Sequence, residues 1–320
     1  MPNLGRNLIL ALGLGVAVYV VLAVLGGIEN LREALDGFRY GLIPVILGLV
    51  ALSYVGRFVR WIYYLRLLGI SVPLGVNAAI FAAGLSMTVS PGKLGEVLKS
   101  VFVKQAVGAP IARTAPIVVA ERATDGTGMV AWGLLGALAF SFGPGILVGF
   151  LLLTVLGIAV LRSKRLSLLA ERLLLRLPVV NRFAPHLSDF HGATDELLGV
   201  RPLVVGSVLS FLAWGLEITA VYLCSVGIGA GLPFLLVVFV FAAGSLLGVG
   251  SMLPGGIGAA EASMAGMFRF YAGLPGGLAV ALTFLIRLVT LWFAAVVGIV
   301  GLMIVRSMLG NAAETPVSGR

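Results

Sequence analysis

Apolar residues fill this chain in long runs, and the polar positions that interrupt them recur in the same order twice. A helix needs about 20 residues to cross the hydrocarbon core of a bilayer. Runs of that order occupy 7–28, 41–68, 114–140, 145–162, 203–227 and 276–305, and each is predicted to span. Two further apolar regions break in the middle. Residues 74–107 are interrupted at Ser90-Pro91-Gly92-Lys93, and residues 232–272 at Leu253-Pro254-Gly255-Gly256. The arm after the first break is roughly 18 Å of helix, too short to cross. Each region is therefore predicted to be a re-entrant hairpin, entering and leaving by one face. Such a break is tolerated at depth only where protein or a watery cavity covers it. The expected fold is an all-α polytopic membrane protein, a single transmembrane domain of about six spanning helices plus two re-entrant helical hairpins.

The two hairpins share wording. "FAAGLSMTVSPGKLGE" starts at Phe81 and "FAAGSLLGVGSMLPGGIGAAE" starts at Phe241. Glu96 precedes Arg122 by 26 residues, and Glu261 precedes Arg287 by 26. Gly-Ile stands before each hairpin, at Gly69-Ile70 and Gly227-Ile228. The ordered set predicts an internal repeat, about 41–140 and about 203–305, joined through a basic linker at about 163–200. Alternate crossing makes the second unit start from the opposite face, so inverted repeats are expected. That plan suits alternating access in transporters.

Composition agrees with lipid as the solvent: 60% of residues are hydrophobic, 11% are charged and mean hydropathy is +1.11. The net charge of +9 does not imply nucleic acid here, because basic residues gather in loops that face anionic headgroups. With the N-terminus inside, Arg57, Arg60 and Arg66 at the end of 41–68, then Lys99, Lys104 and Arg113, all fall toward the cytoplasm, as does the basic linker. This predicts a multi-pass protein of the cell membrane with both termini cytoplasmic. Segment 7–28 is long enough to span and is read as an uncleaved anchor. Segment 29–40 places Leu31, Leu35 and Phe38 on one face and predicts a short interfacial helix. Amphipathic helices are expected in 163–200, and the polar tail after Arg306 is expected to lack fixed structure.

Chemistry-bearing residues are few. Cys224 is alone, and His186 and His191 share one loop, so neither a disulfide nor a metal cluster is expected, and no cofactor is implied. No Ser/His/Asp set appears. Pro-Gly-Lys lacks the following Gly-Lys-Ser/Thr and the preceding strand of a Walker A loop. A catalytic role is not expected. The short arms would place helix N-termini at depth, where free N–H groups and the positive dipole end favour an anion. Gly92, Gly95, Gly255, Gly256 and Gly258 would let backbone come close, or would serve only the turn and helix packing. Glu96 and Glu261 would cap those arms, act as gates or pair with arginine. Arg122 and Arg287 lie inside apolar helices and need a partner or water. They would pair with Glu96, Glu217 or Glu261, or clamp a lipid phosphate. Glu121 and Asp125 share a polar patch with Arg122, Glu217 also needs a partner, and Lys93 could meet an anion as a point charge.

The stretches "SPGKLGEVLKS", "AERATDG" and "LPGGIGAAEASM" resemble the lysylphosphatidylglycerol synthase transmembrane-domain family of flippase-like membrane proteins. The resemblance covers about 7–306. It singles out Pro91, Gly92, Gly95, Glu96, Glu121, Arg122, Asp125, Pro254, Gly255, Gly256, Gly258 and Glu261 as motif positions. It implies movement of a lipid across the bilayer, the role associated with the membrane half of the bifunctional members. No aminoacyltransferase domain follows Arg306 in this sequence, so lipid aminoacylation by the chain alone is not expected. The leading expectation is a translocase for a phospholipid or polyprenyl-phosphate-linked lipid with an anionic headgroup. A proton-coupled carrier of a small solute, working through Glu96 and Glu261, is an alternative. A non-catalytic membrane partner of a separately encoded lipid-modifying enzyme is another. Lipid identity, direction, energy source and oligomeric state are not legible.

Overall fold

A computed structural model of the chain describes residues 32, 35–90, 94–139, 144–162 and 187–314. The predicted span 7–28, the turn Pro91-Gly92-Lys93 and residues 163–186 of the basic linker lie outside the described residues. Among those described, the elements are all helical. They are α1 (Ile43–Leu67), α2 (Leu74–Leu85), α3 (Leu98–Val107), α4 (Ile111–Ala139), α5 (Pro144–Arg162) and α6 (Leu187–Leu197), followed by α7 (Val200–Gly227), α8 (Phe234–Gly250), α9 (Ala259–Ala272), α10 (Gly276–Arg287) and α11 (Phe293–Glu314). Tyr40–Leu67, Val200–Gly227 and Gly276–Gly310 are long and apolar enough to cross a membrane, and Leu74–Thr88 and Phe234–Gly250 are shorter apolar helices. Position α4 differs: it has 29 residues but carries Glu121, Arg122 and Asp125 in its middle.

The hairpins fold as antiparallel pairs. A Cβ at Gly84 of α2 would meet the Lys99 stem of α3 at 2.7 Å. In the second, Gly248 faces Ala260 and Gly244 faces Met264, so α9 runs back along α8. The second turn uses left-handed backbone at Gly255 (φ 61°), Gly256 (φ 65°) and Gly258 (φ 89°), which explains glycine there. Met252 adopts φ 56° just before it, a strained conformation for a residue with a Cβ.

Packing between the two units is exchanged. From Ser53 through Gly56 to Tyr64, α1 meets Glu217, Ala213 and Gly206 of α7, so these corresponding helices run antiparallel and cross near Gly56. Helix α2 of the first unit packs on α11 of the second, and α8 of the second packs on α4 of the first. Each contact rests on glycine. Gly298 and Gly301 of α11 admit the α2 backbone at Leu85–Ser86 and Ala82–Ala83, and Gly136 of α4 admits the α8 backbone at Leu235 and Phe239. Gly133 and Gly136 precede Gly298 and Gly301 by the same 165 residues that separate Glu96 from Glu261 and Arg122 from Arg287. This Gly-x-x-Gly is a repeat signal that the hairpin wording overshadowed.

Two expectations need correction. The chain after Arg306 is helical as far as Glu314, because a helix already nucleated propagates through Met308 and Leu309. The span read as 276–305 is not one regular helix: a π-helical turn, Leu288–Trp292, follows Arg287 at once. Of the interfacial segment, Phe38 is buried and Arg39 donates its N–H to the Gly227 carbonyl at 3.0 Å, while Leu31 lies outside the described residues. Helix α6, the described part of the linker, packs on α4.

Candidate functional site

Helical spacing sets the polar face of each contributing element. On α1, Ser53, Arg57, Arg60 and Tyr64 stand at i, i+4, i+7 and i+11, one stripe. On α7, Ser210, Trp214 and Glu217 form another, and on α4 Glu121 and Asp125 are one turn apart with Arg122 beside them. The stripes meet in a cavity of about 370 Å³ between the two units. Both hairpin breaks reach it, through Ser90 and Glu96 on one side and Gly255 and Gly256 on the other.

The cavity wall is a network of ion pairs. Arg57 pairs with Glu217 and lies 4.2 Å over the Trp214 ring. Arg60 donates to Asp125 at 2.7 Å and to the Thr124 hydroxyl at 3.1 Å. Lys99 is 2.5 Å from Glu121 and 3.8 Å from Glu96, with its ammonium 4.4 Å over the Trp61 ring. Arg122 reaches Glu96 at 3.1 Å and Asp125 at 3.0 Å. Arg287 donates to Glu261 at 2.7 Å and to the Gly255 carbonyl at 2.7 Å. Five basic and five acidic side chains thus cancel, as burial of charge requires.

The two units use the Glu–Arg pair differently. The Gly258 N–H donates to Glu261 Oε2 at 2.7 Å, so this carboxylate caps α9 while its other oxygen holds Arg287. That pair is sealed, with the side chains 0% and 9% exposed. In the first unit Arg122 is 30% exposed and Glu96 10%. Gly95 precedes Glu96 in a 3-10 turn, Leu94–Val97. Lys93 and Gly92 lie outside the described residues.

Several buried donors of the lining residues have no hydrogen-bond partner among the described residues: Nε of Arg57, Arg60 and Arg122, and the Trp214 indole N–H. Val249, Met252 and Leu253 line the cavity and are themselves 45–60% exposed. The sequence pattern located Arg122, Arg287, Glu96, Glu121, Asp125, Glu217 and Glu261, all of which come to this region. It placed Arg57, Arg60 and Lys99 at the cytoplasmic edge, whereas the structure buries Arg60 and Lys99 and draws Arg57, 12% exposed, into the same network. Their helical spacing was the available signal. Trp214 was missed altogether.

An all-helical chain with apolar spans, crossed hairpins and a charged internal cavity is an integral membrane protein. Residues 9–298 match the family described as "Lysylphosphatidylglycerol synthase TM region", and the chain belongs to that family. Two matches are to proteins of Methanothermobacter thermautotrophicus described as "UPF0104 membrane protein". One is 32% identical over 117 residues, 37% of this chain and 35% of the relative. The other is 37% identical over 97 residues, 30% of this chain and 28% of the relative. The chain thus spans about a third of the length of these two. A third, "UPF0104 membrane protein PH1989" of Pyrococcus horikoshii, is 24% identical over 326 residues, covering 92% of this chain and 95% of the relative.

Proposed function

We propose that this chain carries an anionic-headgroup lipid, a phospholipid or polyprenyl-phosphate-linked lipid, from one leaflet to the other without covalent chemistry. The observation that carries the proposal is the mixed lining of the cavity: residues with arginine and indole donors that have no partner among the described residues, together with exposed apolar side chains. A phosphate accepts several N–H donors at once, and arginine presents them in a planar fork. Acyl or prenyl chains gain by staying against Val249, Met252, Leu253 and the surrounding lipid. A free polar solute would gain nothing from that lip.

The mechanism follows from the exchanged packing. Ser90 and Glu96 of the first hairpin and the Gly255-Gly256 turn of the second line the cavity, and each hairpin leans on the last helix of the other unit. A rocking of one unit against the other would open the cavity beside one hairpin as it closes beside the other. Arg122, the most exposed cation of the network, meets the headgroup first.

The test is reconstitution into vesicles with a fluorescent phosphatidylglycerol, scoring its transfer between leaflets. Arg122→Ala is expected to slow transfer roughly tenfold to a hundredfold, the value of one or two hydrogen bonds to a charged group. If Arg122→Ala and Arg287→Ala both move the lipid as fast as the parent, the phosphate-clamp reading is wrong.

A further inference from the structure

The two units correspond position by position, so their packing can be compared. Phe81 and Phe241 are 160 residues apart. At the same offset α2 and α8 start after Pro73 and Pro233, whose carbonyls accept the Asn77 and Val237 N–H groups. Arg122 and Arg287 are 165 apart, and at that offset α4 and α10 start at Ile111 and Gly276.

The comparison shows two differences. Gly136 of α4 admits the α8 backbone at Leu235 and Phe239, whose counterparts in α2 are Gly75 and Ala79. Gly301, the counterpart of Gly136, instead meets Ala82 and Ala83. Helix α2 is therefore displaced along α11 by about five residues, or roughly 8 Å, from the register of α8 on α4. The second difference follows the arginines. After Arg122 the chain stays α-helical, whereas after Arg287 it forms the π turn Leu288–Trp292. No inserted residue causes this turn, because Arg122 to Gly133 and Arg287 to Gly298 are both 11 positions. One stretch of the repeat is thus held in two conformations.

A hydrogen bond marks the difference. In the π turn the Phe293 N–H is shared between the Leu288 and Thr290 carbonyls. The Tyr54 hydroxyl also donates to the Thr290 carbonyl, at 3.4 Å. The counterpart of Tyr54 is Trp214, and that of Thr290 is Asp125. The Trp214 indole N–H has no partner among the described residues, although Ser210, one helical turn before it, reaches Asp125 at 2.9 Å.

We propose that the two helix seams exchange registers and that the π turn changes sides with them. This rests on the translocase reading above and supplies its moving part. In the other state α8 has slid along α4 until Gly136 meets Ala242 and Ala243, and α2 along α11 until Gly301 meets Gly75 and Ala79. Leu288–Trp292 is then α-helical, and residues 123–127 carry the wider turn. The Trp214 N–H donates to the Asp125 carbonyl, as the Tyr54 hydroxyl does to Thr290 in the state described above. Small residues serve both registers: Phe-Ala-Ala-Gly places alanines at 82–83 and 242–243, and Gly75, Ala79 and Gly301 already line one apolar groove.

The experiment uses the full chain, spin-labelled in pairs on a Cys224→Ala background, in nanodiscs with and without phosphatidylglycerol. Gly75→Cys with Val296→Cys reports α2 on α11, and Arg113→Cys with Val249→Cys reports α8 on α4. All four positions are exposed, and a Cβ at Gly75 meets nothing within 4 Å. Each pair is expected to show two populations roughly 8 Å apart, the first pair shortening as the second lengthens. Tyr54→Phe should move the ratio toward the exchanged registers and Trp214→Phe away from them, each by roughly twofold to tenfold, the value of one hydrogen bond. A single distance at each pair in both lipid mixtures, a change at one seam without the other, or absent or same-sign shifts in the two variants overturns the inference. Amide exchange on the unlabelled parent guards against labels that disturb the fold. Residues 123–127 should lose protection ahead of 129–137, and equal protection overturns the inference. Vesicle transfer reads the translocase separately. Fixed registers in a parent that moves lipid sink this inference alone, and exchanging registers in a parent that moves none sink the translocase reading alone.

Discussion

At the scale of single residues, burial decides what each charge is for. Arg60 is 1% exposed and its partner Asp125 8%, so Asp125→Ala would strand a guanidinium in the bundle. That change is expected to cost about 3–5 kcal/mol, seen as a lowered unfolding midpoint in detergent. Glu261 allows a cap to be separated from an ion pair. Glu261→Gln retains an oxygen for the Gly258 N–H while losing the charge opposite Arg287; Glu261→Ala loses both. The alanine variant should be less stable than the glutamine variant by about 1 kcal/mol, the value of an N-terminal cap, and equal stabilities would refute the capping role. Residue by residue, the acidic members of the site and Arg122 and Arg287 were legible because a lone charge inside an apolar run demands explanation. Arg57, Arg60 and Lys99 were not, because basic residues near a helix end have a ready alternative in the anionic headgroup zone. The stripe Ser53, Arg57, Arg60, Tyr64 separates the two cases: charges bound for headgroups need no common face, and these share one.

At the scale of elements, glycine governs how closely helices meet. A Cβ at Gly298 of α11 would strike the α2 backbone at Leu85 and Ser86, which has no side-chain freedom with which to yield. Gly298→Ala is expected to destabilise the fold by about 1–3 kcal/mol, as overpacking does. Gly157 of α5 meets nothing within 4 Å, and Gly157→Ala should be neutral or stabilising by up to about 1 kcal/mol through helix propensity. Thermal unfolding of the two variants side by side checks both. Hairpin breaks were visible in the sequence because Pro and Gly interrupt helices for local reasons. The π-helical turn after Arg287 was not visible: its residues, Leu288–Trp292, are ordinary apolar ones, and its cause lies in packing beyond the segment. Such turns gather at functional positions. This one sits between the Arg287 clamp and Phe293, which stacks on Tyr54 of α1 at 6.0 Å.

For the molecule as a whole, antiparallel contact between α1 and α7 makes the two units counterparts facing opposite ways, while their ion pairs are unequal. The open pair, Arg122 with Glu96, is suited to exchange partners; the sealed pair, Arg287 with Glu261, is suited to hold a hairpin still. The repeated words and spacings were readable in the sequence. The inequality was not, since both glutamates stand 26 residues before an arginine and only three-dimensional burial distinguishes them.

The exchange of α2 onto α11 and of α8 onto α4 also bears on assembly during synthesis. The first unit leaves the ribosome with the glycine face of α4 uncovered and with α2 lacking its seat, and both must wait for residues made much later. Neither half is self-sufficient. Fragments 1–162 and 163–320 produced together should therefore co-purify as a complex, while either produced alone should be degraded. Co-purification would show that the interlock, and not the covalent link, holds the halves together.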